Sequence, residues 1–83
     1  MNIPEQIGLK YLTFGIQLLE DTTGAITYAI EKECHHNAYK INLTILKRWV
    51  GGRGRKPISW ATLIEVLKGV QLSELAHEIE HNL

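Results

Sequence analysis

The sequence predicts an all-α domain, on the strength of three observations. Apolar side chains recur at steps of three and four residues in three consecutive stretches between Lys40 and Leu83, which is the spacing of one helix face. The β-branched residues never alternate cleanly with polar ones, so no strand is indicated. The connections are about two to seven residues long, as in small helical bundles. We therefore expect six short antiparallel helices, or five if the first two fuse.

Length and composition indicate a single soluble domain. A chain of 83 residues is too short for two independent cores, so one domain is expected over residues 1–83. Apolar residues make up 45% and charged residues 22%, which is typical of a globular protein. No apolar run approaches the roughly 20 residues that cross a bilayer, and no secretory signal is evident. We expect a cytoplasmic protein; the single cysteine, Cys34, agrees with a reducing compartment and also with many secreted chains.

The first predicted helix is short and poorly defined. Pro4 suits the first turn of a helix, because its missing N–H is not needed there. Ile3 and Ile7 are expected to be buried, with Leu9 as a further candidate. The sequence leaves open whether Gly8 separates this helix from the next or lies inside one continuous helix.

The second and third predicted helices flank an Asp-Thr-Thr-Gly turn. Gly15, on the stripe of the second helix, would let a neighbouring helix come close. Ile16 and Leu19 lie off that stripe, so at least one is a candidate for contact with a partner; burial against the first helix is the alternative. In the turn, Thr22 or Thr23 would cap the third helix. The apolar stripes of the two helices comprise Tyr11, Phe14, Gly15, Leu18, Ile26 and Ile30.

The last three predicted helices lie on either side of a glycine-rich basic loop. Asn37 is expected to cap the helix over 38–50, and Ser59 the helix that begins at Trp60. The last helix would begin within 71–73. Their stripes comprise Ile41, Ile45, Leu46 and Trp49; Trp60, Leu63, Ile64 and Leu67; and Leu72, Leu75, Ala76, Ile79 and Leu83.

Both tryptophans occupy stripe positions. Large aromatic side chains at such positions contribute much of the buried area of a small core. Trp49 and Trp60 could alternatively stack on a ligand, but we expect both in the core. The predicted bundle therefore closes around the two indole rings.

The charges are balanced in number but separated along the chain. Nine Lys or Arg and nine Asp or Glu give a net charge of zero, so no overall field attracts the molecule to nucleic acid or to an anionic membrane. Five of the positive charges fall within residues 47–56, and three acids crowd the last helix. We therefore expect one positive and one negative surface patch.

In this order of helices the chain resembles the death domain, the six-helix member of the death-fold superfamily. The resemblance covers Tyr11 to about Glu80; the departures are a short N-terminus and a glycine at position 15, where the family more often has alanine. The matching elements are Tyr11, Phe14-Gly15 and Leu18; Ile26 to Glu31; Leu46-Lys-Arg-Trp49; Trp60, Leu63 and Leu67; and Leu75-Ala76.

The resemblance implies an interaction module without a catalytic site, cofactor or metal. Such domains bind other death domains or copies of themselves, stack helically through asymmetric contacts, and act as adaptors in apoptotic or innate immune signalling. A card or effector-type relative is the alternative within the same fold. A head-to-tail contact joins two unlike surfaces and can propagate, which suits a molecule with one positive and one negative patch.

The resemblance also implies which residues take part. One side of the contact would be the end of the fourth helix with its loop, and the other the start of the sixth helix with the loop before it. An ordinary solvated surface is the alternative for each residue. The expected partner-binding residues are Lys47, Arg48, Arg53, Arg55 and Lys56 on one side, and Gln71, Ser73, Glu74 and Glu78 on the other.

Two further sequence patterns are typical of other functions. The loop Gly-Arg-Gly-Arg-Lys-Pro57 resembles the minor-groove core of AT-hook peptides, so a small helical DNA-binding module is the alternative. The segment from His77 to His81 satisfies H-E-x-x-H, in which two histidines hold zinc. A catalytic zinc site also needs a third ligand and a cleft, and a chain of this length offers little room for one. We expect neither nucleic acid nor metal to bind.

Overall fold

The computed structural model of the chain describes residues 3–52 and 57–82. These residues form helices and connections only, without a strand, which confirms the all-α prediction. A short N-terminal segment comprises a five-residue α-helix, Ile3–Ile7, and a 3-10 turn, Gly8–Lys10. The described residues then form five longer helices: α1 (Tyr11–Leu19), α2 (Ala25–Glu33), α3 (Ala38–Val50), α4 (Trp60–Gly69) and α5 (Ser73–His81).

The prediction of six full helices is not confirmed, because the first helix ends before Gly8 after little more than one turn. The N-terminal helix is little longer than one turn. Gly8 then adopts a left-handed backbone with φ 55°, and the 3-10 turn leads directly into α1 at Tyr11. A left-handed residue cannot continue an α-helix, so Gly8 separates the N-terminal segment from α1 without adding a complete helix.

The core lies where α3 meets its neighbours. Helix α3 contacts the N-terminal segment, α1 and α2, while α4 packs against α1 and α5. Most of the predicted stripes are buried here, which confirms their assignment. The buried stripe residues are Phe14, Gly15, Leu18, Ile30, Ile41, Ile45, Trp49, Leu63, Ile64, Leu67, Leu75, Ala76 and Ile79.

The expected caps of α3 and α4 are present. Asn37 Oδ1 accepts a bond from the backbone N–H of Lys40 at 3.0 Å. Ser59 Oγ accepts one from the backbone N–H of Thr62 at 3.2 Å. Each cap satisfies an N–H group that has no partner inside the helix, which sets the residue at which each helix begins.

A buried aspartate organises the start of α2. Thr23 Oγ1 accepts a 3.3 Å bond from the N–H of Ala25 at the surface of the turn. In the interior, Asp21 Oδ2 accepts bonds from the backbone N–H of Thr27 at 2.9 Å and from its hydroxyl at 3.1 Å. Thr27 is fully buried and packs against Gly15, where an added Cβ would lie 2.7 Å from Thr27 Oγ1 and 3.0 Å from Ile45 Cδ1. Gly15 therefore permits the close approach expected from the sequence.

The core prediction is wrong for Trp60. Trp49 is 5% exposed, whereas Trp60 is 52% exposed. Trp60 does lie one turn before Leu63 and Ile64, on the face that α4 turns to the core. It is, however, the first residue of α4, and burial begins only one turn later, at Leu63 and Ile64. Helical spacing predicts the face of a side chain but not how far along the axis the neighbours reach.

The candidate apolar positions in the N-terminal half divide between core and surface. Leu9 is 85% exposed, because the 3-10 turn directs it away from the face that buries Ile7. Leu19 is buried at 3% exposure, and Ile16 is half-buried. Of the two residues proposed for partner contact, Leu19 is therefore excluded by burial.

Asn42, for which the sequence indicated no role, fixes the N-terminal segment onto α3. Its side chain is fully buried, and Nδ2 donates to the carbonyls of Pro4 and Gly8, both at 3.0 Å. Carbonyls at the end of a short helix have no partner inside it, so a buried donor from α3 stabilises them there.

Candidate interaction surfaces

The cationic surface, defined as Lys47 and Arg48, lies at the C-terminal end of α3. Lys47 is exposed. Arg48 is half-buried, and its Nη2 lies 3.3 Å from Glu33 Oε2 at the end of α2. The ion pair fixes Arg48 between two helices and partly neutralises it. Lys47 therefore carries the larger share of the positive field that the described residues present here.

Three further predicted cationic residues, Arg53, Arg55 and Lys56, lie outside the described residues. Their part in a contact stays a prediction from the sequence, as does the DNA-binding alternative, which depends on the same loop. Gly52 and Pro57, the described residues on either side of 53–56, are both exposed.

The acidic surface, defined as Gln71, Ser73, Glu74 and Glu78, lies at the start of α5 and along its outer side. All four residues are exposed. The first three line one surface depression together with Gln6 of the N-terminal segment. Glu78 lies one turn after Glu74, on the same side of the helix. The structure thus brings the predicted residues of this side into one continuous surface.

The backbone around the acidic surface is fixed by contacts from outside α5. Gln71 has a left-handed backbone with φ 64°, and its carbonyl accepts a 3.3 Å bond from Lys10 Nζ. Helix α5 begins at Ser73 without a side-chain cap, so its first N–H groups face this surface. Glu74, in the first turn, is stabilised there by the helix dipole.

Glu80 is not part of the acidic surface. Its carboxylate lies 2.9 Å from Lys68 Nζ of α4. This hydrogen-bonded ion pair is the main reason that the pKa of Glu80 lies below its ordinary value. Of the three acids that crowd the last helix, only Glu74 and Glu78 belong to the acidic surface.

The four histidines lie in two places, on α5 and in the connection from α2 to α3. His77, Glu78 and His81 are all exposed, with the two histidines one turn apart on α5. Within residues 3–52 and 57–82, no group of three or more His, Cys, Asp and Glu side chains is arranged to hold a metal ion. The H-E-x-x-H segment therefore has no third ligand among the described residues.

The connection from α2 to α3 contains Cys34, His35 and His36. Both His35 and His36 have left-handed backbones, with φ 52° and 60°, an uncommon conformation for residues other than glycine. His36 Nδ1 lies 3.7 Å from a carboxylate oxygen of Glu31. The Tyr11 hydroxyl donates to the other oxygen, and this bond is the main reason that the pKa of Tyr11 is raised. These contacts join α1, α2 and the connection.

An apolar groove, which the sequence did not indicate, separates the end of α3 from the start of α4. Three of its side chains are large, apolar and exposed: Val50 at 61%, Ile58 at 55% and Trp60 at 52%. The signal in the sequence was the apolar pair Val50 and Ile58 on either side of a polar loop, close to a tryptophan at a helix start. The groove is lined by Ile3, Leu46, Trp49, Val50, Ile58, Ser59, Trp60 and Leu63.

The indole nitrogen of Trp49 is buried and has no hydrogen-bond partner among the residues that the structure describes. Within that part of the chain, Trp49 contributes to stability by packing.

Comparison with known proteins finds no matching family model, no matching curated protein and no matching solved structure. Among the described residues, no helix is long and apolar enough to cross a membrane.

Proposed function

We propose that this domain is a non-enzymatic protein–protein interaction module of the death-fold type. In this proposal it joins copies of itself, or other death domains, through unlike charged surfaces, and so assembles apoptotic or innate immune signalling complexes in the cytoplasm. In this proposal, the N-terminal segment corresponds to the first helix of the family, and α1 to α5 correspond to the remaining five.

One observation carries the proposal: the two predicted surfaces are formed by different helices and have opposite charge. The cationic surface lies at the end of α3, where Lys47 is exposed. The acidic surface lies on α5, where Glu74 and Glu78 are exposed. Unlike surfaces favour a head-to-tail contact, in which each copy keeps one surface available for the next.

The charges affect the choice of partner and the rate of association more than they increase the affinity. Charged groups at the rim of an interface raise the association rate and disfavour like-charged partners, and salt weakens both effects. Gln71 and Ser73 add uncharged hydrogen-bonding groups beside Glu74. The proposed contact is therefore polar, sensitive to ionic strength, and reversible.

Sedimentation velocity over a range of protein and salt concentrations tests the proposal. The wild-type domain is expected to associate at low salt and to dissociate as salt rises. Lys47→Glu should weaken association, whereas Lys40→Glu, at the opposite end of α3 and also exposed, should not. Arg53→Glu and Arg55→Glu are expected to act as Lys47→Glu does.

An isolated domain can also require a different death domain as its partner. The same variants are therefore tested in pull-downs with a panel of purified death domains. Wild-type, Lys47→Glu and Lys40→Glu domains that behave alike in both sedimentation and pull-down would contradict the proposal.

A further inference from the structure

Half of the large exposed apolar residues that the structure describes lie in one place. Six large apolar residues are exposed in the described part of the chain, and three of them, Val50, Ile58 and Trp60, line the apolar groove. Single exposed apolar residues are ordinary on a protein surface, but a contiguous patch marks an interaction site. A half-exposed tryptophan in a groove is also the residue type that contributes most to binding energy in protein interfaces.

The groove has a floor that is already packed. Trp49 and Leu63 are buried and belong to the core, while Leu46 is half-buried against it. Of the exposed side chains, Val50 lies on the C-terminal turn of α3, Trp60 begins α4, and Ile58 lies in the connection just before the Ser59 cap. The core fixes the two helices, and the Ser59 cap fixes the start of α4. A preformed apolar groove between helix ends fits the apolar face of an amphipathic helix.

The charge beside the groove selects an acidic occupant. Lys47 lies one turn before Val50 on α3, so the two side chains share one side of the helix. Arg48 is already paired with Glu33, so among the described residues of α3 Lys47 sets the sign of the field at this edge. An occupant with Asp or Glu beside its apolar stripe would place a carboxylate near Lys47 and apolar side chains on Trp60.

The acidic surface of a second copy is a poor occupant. Gln71, Ser73 and Glu74 are polar, and the apolar stripe of the same helix is buried in its own core, with Leu75 at 4% and Ile79 at 2% exposure. The acidic surface of a second copy could satisfy Lys47 but could not fill the groove without unfolding α5.

We propose that the apolar groove binds an amphipathic helix of another protein whose apolar stripe is flanked by acidic residues. This site is separate from the self-association proposed above, and the two share only Lys47.

Two synthetic helical peptides test the proposal. Both carry leucines at i, i+3, i+4 and i+7; one has glutamates beside this stripe and the other has lysines at the same positions. Trp60 is the exposed one of two tryptophans, so binding of the glutamate peptide is expected to shift the fluorescence to shorter wavelength. Trp60→Phe should remove most of the shift, and the lysine peptide should bind much more weakly.

Surface variants locate the site. Val50→Asp and Ile58→Asp should each weaken glutamate-peptide binding by roughly tenfold or more, the usual consequence of losing a central interface residue. Leu9→Asp, which alters the most exposed apolar residue outside the groove, should have no effect. Lys47→Glu should weaken binding, while Lys40→Glu should not. All of these positions are exposed, and circular dichroism checks that each variant keeps its helix content.

The proposal is overturned if the glutamate peptide produces no shift, if both peptides bind equally, or if Val50→Asp and Ile58→Asp leave binding unchanged. A shift that appears on concentrating the domain alone and is lost in Val50→Asp would assign the groove to a second copy, and would also overturn it. Glu74→Lys separates the two proposals, because it should impair self-association and leave peptide binding intact.

Discussion

The two tryptophans have similar positions in the sequence pattern and opposite positions in the structure. Trp49 is the last residue of the apolar stripe of α3 and is 5% exposed. Trp60 is the first residue of the stripe of α4 and is 52% exposed. The N-terminal segment packs along α3, and Ile3 lies with Trp49 at the apolar groove. No described element covers Trp60 to the same extent.

The difference shows that a helix face and a buried environment are separate properties. Spacing of three and four residues places both indoles on inward-facing stripes. Burial also requires a neighbour at the same height along the helix axis, and that neighbour comes from a distant part of the chain. Trp49 is therefore a core residue, while Trp60 is available for binding.

The largest expected effect is a difference in the free energy of unfolding between variants of the two tryptophans. Trp49→Ala should reduce the free energy of unfolding by about 3–5 kcal/mol, because it leaves a cavity in a small core. Trp60→Ala should cost no more than about 2 kcal/mol, because half of the side chain already contacts water. Urea unfolding followed by far-ultraviolet circular dichroism measures both. Equal losses for the two variants would contradict the assigned burial.

The glycines provide a second comparison between the interior and the surface. Gly15→Ala would place a Cβ 2.7 Å from Thr27 Oγ1 and 2.9 Å from Thr27 Cγ2, and should cost about 1–3 kcal/mol. Gly69→Ala, at the end of α4, has open space around the new Cβ and should be neutral or stabilising by up to about 1 kcal/mol. Thermal unfolding of the two variants side by side tests this. A stabilising Gly15→Ala would show that α1 and α2 are farther apart than described.

Asn42 tests whether the N-terminal segment is what buries Trp49. Asn42→Ala removes the donor to the Pro4 and Gly8 carbonyls and should cost about 1–2 kcal/mol. The loosened segment should increase acrylamide quenching of Trp49, measured in a Trp60→Phe background. Quenching of Trp60, measured with Trp49→Phe, should increase less, because about half of that side chain is already exposed. If neither indole becomes more accessible, the segment does not cover Trp49.

The smallest expected effect concerns the helix start that presents Trp60. Ser59→Ala removes the bond to the N–H of Thr62 and should cost about 1 kcal/mol, whereas Ser59→Asp should retain most of the stability. Hydrogen exchange should show faster opening of the first turn of α4 in Ser59→Ala and little change in α3. Protection that is unchanged in α4 would mean that the cap does not hold this turn.

Most of the helical arrangement could be predicted from the sequence, because it depends on local signals. Asn37 and Ser59 mark helix starts by a bond three residues away, and the stripes mark the buried faces. Asn42 and Asp21 could not be predicted as buried polar residues, because their partners depend on packing. Their bonds reach Pro4 and Gly8 from α3, and Thr27 from the preceding turn.

The candidate surfaces also differ in how far the sequence could predict them. The acidic surface follows from neighbouring residues at one helix start, so the sequence was sufficient to indicate it. Arg48 appeared equivalent to Lys47, but its ion pair with Glu33 is a contact between helices. The apolar groove could not be predicted from the sequence, because Ile3, Val50 and Trp60 come from three separate elements.

The most direct test of the proposed function is a mixing experiment with two charge-reversed variants. Lys47→Glu and Glu74→Lys should each fail to self-associate, because each presents like charges across the contact. An equimolar mixture should regain association, measured by light scattering at low salt, because each variant offers the surface that the other lacks. If the single variants associate as the wild-type domain does, or if the mixture stays monomeric while the wild-type domain associates, the surfaces on α3 and α5 do not join neighbouring molecules.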